Sequence, residues 1–131
     1  MKDTITVYLR SSLTPYNIQD SAKGVVDSVS FNASVKFKYD LPPANYYLDI
    51  RHRNSIETWS AVPVEYSFGT KVVYDFTETS ASAYGSNEKQ VDGNWGIYSG
   101  DVDQNGKIDL ADVINIYNVS TDFTTGYIPQ D

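Results

Sequence analysis

Residues 4–10 read TITVYLR. Ile5, Val7 and Leu9 fall on one side of an extended chain, and Thr6, Tyr8 and Arg10 on the other. This is the two-residue period of a strand with one face in a core and one in solvent. The pattern recurs. SVKFKYDL (34–41) places Val35, Phe37, Tyr39 and Leu41 inward, Pro42-Pro43 bends the chain, and NYYLDIRHR (45–53) puts Tyr46, Leu48, Ile50 and His52 on one face. VPVEYSF (62–68) and KVVYDFT (71–77) follow, joined by Gly69-Thr70, a hairpin-sized connection, with a further short strand expected at residues 57–60. Residues 17–27 form a weaker candidate interrupted by Gly24. Short strands at this spacing, with no helical period before residue 108, predict a mostly-β fold, an antiparallel β-sandwich.

Composition narrows the chemistry. The chain has 131 residues, 40% of them hydrophobic, enough for one core of ordinary size. Eleven Tyr and two Trp suit half-buried sheet surfaces and contact faces, because such rings are apolar at one end and polar at the other. A net charge of −7 argues against nucleic acid, since no Lys/Arg stripe is present to neutralise phosphates. The absence of Cys removes disulfides, thiolate zinc sites and cysteine nucleophiles together. No apolar run approaches the ~20 residues of a membrane span, so membrane insertion is not expected. Met1-Lys2-Asp3 passes directly into a strand, with no signal peptide in view; the expectation is a secreted chain numbered after its leader.

Residues 77–94 are small, polar and without period, and read as a linker or long surface loop. Beyond them lies GDVDQNGKIDLADV (100–113). Counted from Asp101, the residues Asp101, Asp103, Asn105, Gly106, Lys107, Ile108, Asp109 and Asp112 occupy positions 1, 3, 5, 6, 7, 8, 9 and 12, the ligand spacing of an EF-hand loop. Ca²⁺ takes six to eight oxygens at about 2.3–2.6 Å. Side chains at 1, 3 and 5 converge as the loop curls, Gly106 permits the sharp turn, and the Lys107 carbonyl adds an oxygen whatever its side chain is. Asp109 is expected to ligate directly or through water, Asp112 to close the site, and Ile108 to pin the loop to a core. In LADVINIYN (110–118), Leu110, Val113, Ile114 and Tyr117 form one stripe of a short helix, with Asp109 at its N-cap and Asp112 at the third helical position.

A single loop and helix of this kind, without the preceding helix of an EF-hand, resembles the type I dockerin repeat over its whole length. Dockerins usually carry two repeats. Gly96 to Asp101 and Gly126 to Asp131 share a Gly five residues before an Asp, so Asp131 looks like the first position of a second repeat that this chain lacks. Leu41-Pro42-Pro43-Ala44-Asn45-Tyr46-Tyr47-Leu48 is similar to the turn and strand of collagen-adhesin B-type and carboxypeptidase-regulatory-like sandwiches. A sandwich followed by dockerin-like repeats resembles the C-terminal region of large secreted bacterial proteins. The division expected is a sandwich over 1–88 with a linker to about residue 94, then a calcium-binding segment over 95–131. The resemblance implies an extracellular or cell-surface location and a structural or attachment role.

Other constellations are weaker. His52, the one His, has no G-x-S-x-G motif to serve, and reads as a strand-end residue bonded locally. Arg51, Arg53 and Glu57 read as surface ion pairs. Tyr8, Tyr47 and Trp59 could stack against sugars if exposed together, although packing is the more ordinary fate of such rings. The sequence thus predicts a non-enzymatic module that binds one Ca²⁺ to stiffen the fold and support anchoring or self-association. Docking onto a cohesin-like receptor, and carbohydrate binding beside a structural calcium, are the rival expectations.

Overall fold

The alternating stretch at the N-terminus becomes the strand on which the sheet is built. The computed structural model describes residues 3–38 and 40–122, so the expectations placed on Tyr39 and on residues 126–131 lie outside it. Strand β1 (Asp3–Ser11) pairs antiparallel with β2 (Ile18–Val26) on one side and with β3 (Ala44–Arg51) on the other. The free edge of β3 takes β4 (Thr58–Trp59) against Asp49 and Ile50, and β5 (Val64–Tyr66) against Ala44, Asn45 and Tyr46. The result is a five-stranded antiparallel sheet. Register sets Val7 opposite Ile50 and Leu9 opposite Leu48, on the face the alternation assigned to the core. Val7, Leu9 and Tyr46 are 7%, 0% and 3% exposed. Burying a side chain of this size stabilises by about 1.5–3 kcal/mol.

The other face is not simply wet. Asp49, fully buried, receives Arg10 Nε at 2.7 Å and Arg51 Nη2 at 3.3 Å, and Arg51 continues to Glu57 at 2.5 Å and over the ring of Tyr8. The pairs expected at the surface therefore reach inward to a buried carboxylate. His52 is bonded locally, as expected, with Nδ1 3.2 Å from Ser55 Oγ, and its Nε2 lies 2.9 Å from Asp3.

Two expected strands form no ladder among the described residues. Residues 34–38 run past Gly24 so closely that a Cβ there would lie 2.8 Å from Val35 Cγ1 and 3.1 Å from the Ser34 carbonyl oxygen. In place of a ladder bond, the Lys38 amide donates to Asp20 Oδ2 at 2.6 Å. Gly24, read as an interruption, thus lets β2 continue beneath a crossing segment. The turn at Gly69 forms, at a φ of +83°, but the chain after it turns its Tyr74 hydroxyl inward, donating to the Ser82 carbonyl at 2.6 Å and accepting from the Ala61 amide at 3.1 Å. Those anchors replace strand pairing for residues 70–75.

The stretch expected as a linker or long surface loop carries local structure of its own. It contains two short 3₁₀ turns (Ser80–Ser82 and Tyr84–Ser86), with Ala83 2% exposed between them. A hairpin follows, β6 (Lys89–Val91) and β7 (Asn94–Gly96). Asp92 and Gly93 close it with φ of +49° and +87°, the left-handed pair that a two-residue hairpin turn requires. The last described element is helix α1 (Leu110–Thr121). The described strands are antiparallel and the described chain is mostly β with one short helix. Among the described residues no helix is long and apolar enough to cross a membrane.

Candidate metal centre

The acidic loop begins where the chain has just been stitched to the connection between β3 and β4. Ser99 bridges Ser55, the Ile56 amide donates to the Tyr98 carbonyl at 2.9 Å, and the Gly100 amide donates to the Asn54 carbonyl at 2.6 Å. Gly100 has a φ of +121°, a conformation that disfavours any side chain, and an added Cβ would meet Ile108 Cγ2 at 3.2 Å. Ile108 therefore pins the two ends of the loop to each other, while staying 46% exposed.

Inside the loop, backbone amides arrange the carboxylates. Asp101, 2% exposed, accepts the Asn105 and Gly106 amides, each at 3.0 Å, and Gly106 makes the turn at a φ of +84°. Asp103 accepts the Asn105 amide at 3.1 Å and Asn105 Nδ2 at 2.9 Å. Asn105 Oδ1 takes the Lys107 amide at 2.9 Å, with the Lys107 side chain in solvent. Asp112, 1% exposed on the first turn of α1, accepts Val102 and Asp103 amides on Oδ1 and the Asp109 amide on Oδ2. The Asp109 amide, with those of Asp103 and Val102, holds the Asp112 carboxyl below its usual pKa, outweighing the opposite pull of burial.

Asp101, Asp103 and Asp112 each bring one carboxylate oxygen to within 4.8 Å of the others. Oxygens bound to one Ca²⁺ at about 2.4 Å are at most about 4.8 Å apart, so the cluster has the span that one ion would need. The donors are all oxygen, which suits a hard cation. Each carboxylate oxygen can accept more than one contact, so the backbone hydrogen bonds leave lone pairs for a metal. Asp109 stands apart from the three. Its Oδ1 accepts the Ala111 amide at 2.8 Å and caps α1, while Asp112 reaches back to the Asp109 amide, completing a capping box.

Gln104 is a participant that the spacing did not single out. With a φ of +58°, it donates from Nε2 to the Asp101 carbonyl at 2.6 Å and to the Ser55 carbonyl at 3.3 Å, tying the loop to the connection between β3 and β4. The fourth loop position carries no fixed residue type in the ligand pattern, so nothing in the sequence marked it. Helix α1 forms as expected over the predicted stripe. Leu110, Val113, Ile114 and Tyr117 do share a stripe, yet they are 70%, 57%, 48% and 66% exposed. Among the described residues no strand packs broadly against it. No family model, curated protein or solved structure matches the chain.

Proposed function

We propose that the chain is a non-enzymatic extracellular association module, in which one Ca²⁺ held by residues 101–112 fixes α1 so that its apolar stripe docks onto a protein partner or a second copy. The observation that carries this reading is the stripe itself. Four large apolar side chains over about two turns are 48–70% exposed, on a helix fastened to the loop through Asp112. Contiguous apolar surface of that kind marks an interaction site more often than a free monomer face. Asp101, Asp103 and Asp112 would hold the ion, joined by the Asn105 amide oxygen, the Lys107 carbonyl and Asp109 directly or through water. The ion would offset three mutually repelling carboxylates, coupling metal binding to loop order.

Extracellular calcium is millimolar, so a site with a Kd of about 10⁻⁴ M would be mostly filled outside the cell. A sandwich is the architecture we infer for the strand-forming region. Segments 34–38 and 70–76 would supply its second layer, an inference supported by the closeness of Val35 to Gly24 and the Phe37–Tyr66 ring pair at 5.9 Å. Receptor docking of the dockerin type would use the same helix stripe.

Light scattering on a size-exclusion column, with millimolar calcium and then with excess chelator, tests the reading. Mass is expected to rise with calcium, or on adding a receptor, and to fall back in chelator. A mass and melting temperature indifferent to calcium would remove the metal site and the proposal with it.

A further inference from the structure

A second concave site lies far from the acidic loop in sequence. It is a cleft of about 450 Å³ lined by Tyr16, Tyr47, Glu57, Trp59, Tyr84 and Asn87, within the about 300–1,000 Å³ of ordinary small-ligand sites. Its rings are held in fixed attitudes. Tyr16 stands edge-on to Tyr47 and Trp59, with centroids 6.0 and 6.1 Å away, and Tyr47 and Trp59 lie 6.1 Å apart at 46°. Such pairs are individually worth about 0.5–1.5 kcal/mol, enough to set the cleft before any ligand arrives. Tyr84 joins from the turn at 84–86 and is 68% exposed.

The charges decide what fits. Glu57 would attract a cation if alone, but its carboxylate already meets Arg51 Nη2 at 2.5 Å, Arg10 Nη2 at 3.8 Å and the donating Trp59 indole N–H. The Arg10 guanidinium also lies over the Trp59 ring, 4.6 Å from its centroid, so the attraction of that ring for cations is already met. Asp49 and Glu57 balance Arg10 and Arg51, leaving neither an anion nor a cation favoured. What remains is aromatic surface beside a carboxylate and an amide, Asn87, whose Nδ2 is placed by the Glu57 carbonyl at 3.3 Å.

We propose that this cleft binds a neutral saccharide, its C–H faces packed on Trp59 and Tyr47 and its hydroxyls bonded to Glu57 and Asn87. A pyranose ring combines an apolar face with a rim of hydroxyls and no net charge, which is the complement of this surface. The site differs from the grouping of Tyr8, Tyr47 and Trp59 weighed from the sequence, because Tyr8 does not line this cleft. It owes nothing to the acidic loop, so this inference and the calcium reading can each fail alone.

The test is a fluorescence titration of the whole chain with calcium present, on a Trp95→Phe background that leaves Trp59 as the one indole. The probes are cello-, xylo-, manno-, chito- and maltohexaose up to about 1 mM, the weak end of specific recognition, with choline and inorganic phosphate as charged controls. At least one sugar is expected to shift the emission saturably. Tyr84→Ala, at an exposed turn, should weaken that binding at least tenfold with the melting temperature unchanged, and Tyr16→Ala should weaken it too. The proposal is overturned if no sugar saturates the signal, if both variants bind like the parent, or if choline or phosphate saturates it instead.

Discussion

Glu88 is 3% exposed, and neither carboxylate oxygen has a hydrogen-bond partner among the described residues. Burial, with the negative charge of Asp75 added, pushes its pKa up to about 7 from 4.5. The folded form thus holds this proton more tightly than the unfolded chain. Its contribution to stability is complete below pH 4.5 and is lost as pH rises through about 7. Glu88→Gln keeps the shape and removes the charge, so it should raise stability at pH 8 by up to about 3 kcal/mol, since each unit of a pKa raised from 4.5 to about 7 is worth ~1.4 kcal/mol, less what the unbonded amide costs. The gap between the urea midpoints of the two proteins should be smallest below pH 4.5 and widen as pH rises through about 7. A gap that stays constant across that range would mean that the effect is packing and not ionisation. Asp109 poses a different question at the same scale, since it is both the N-cap of α1 and a candidate ligand. Asp109→Ser keeps a capping oxygen and Asp109→Ala does not. Helix content by circular dichroism should fall only in Asp109→Ala, with a loss of about 0.5–2 kcal/mol. Calcium affinity that drops equally in both would assign Asp109 to the metal, while an unchanged affinity in Asp109→Ser would leave it a cap alone.

Among the elements, β1 and β3 were legible because their alternation is long and unbroken, and the ladder between them follows it residue by residue. Residues 34–38 alternate just as well and still have no ladder partner, since a two-residue period reports only that one face is covered. It cannot say whether the backbone meets another strand or, as at Lys38, a side-chain carboxylate. The β6–β7 hairpin was missed for the opposite reason. Its strands are three residues each and mostly polar, so periodicity had nothing to register, although Asp92-Gly93 was the available turn signal. Helix α1 was found from its stripe and its cap. That the stripe would face water could not be read, because spacing fixes which residues share a face and not what lies opposite. The loop follows the same division. Glycine and carboxylate positions specified the curl that brings Asp101, Asp103 and Asp112 together, whereas the anchoring at Ser55 depends on a segment distant in sequence. The aromatic cleft was illegible for that reason too, as Tyr16, Trp59 and Tyr84 come from separate turns and strands.

For the whole molecule, the join between residues 54–56 and 98–100 is the place where the state of the loop should be felt by the sheet. Removing calcium is expected to speed amide exchange at Ile56 and Gly100, whose bonds form that join, and to leave Leu9, fully buried in β1, unchanged. Exchange that accelerates everywhere together would instead mean that the ion supports a single cooperative unit. The same join has a mechanical consequence. Asp3, at the start of β1, is held to His52 and Arg53, just past the end of β3, and the loop is fastened a few residues further on, at Ser55. Because β1 and β3 are antiparallel with Thr6 opposite Arg51, a pull between residue 3 and the loop would load both strands from the same end of the sheet. Their bonds, each worth only about 0.5–1.5 kcal/mol, would then open in succession like a zip instead of resisting together in shear. Tension applied along that line would meet a compliant link, and the molecule would lengthen at low force.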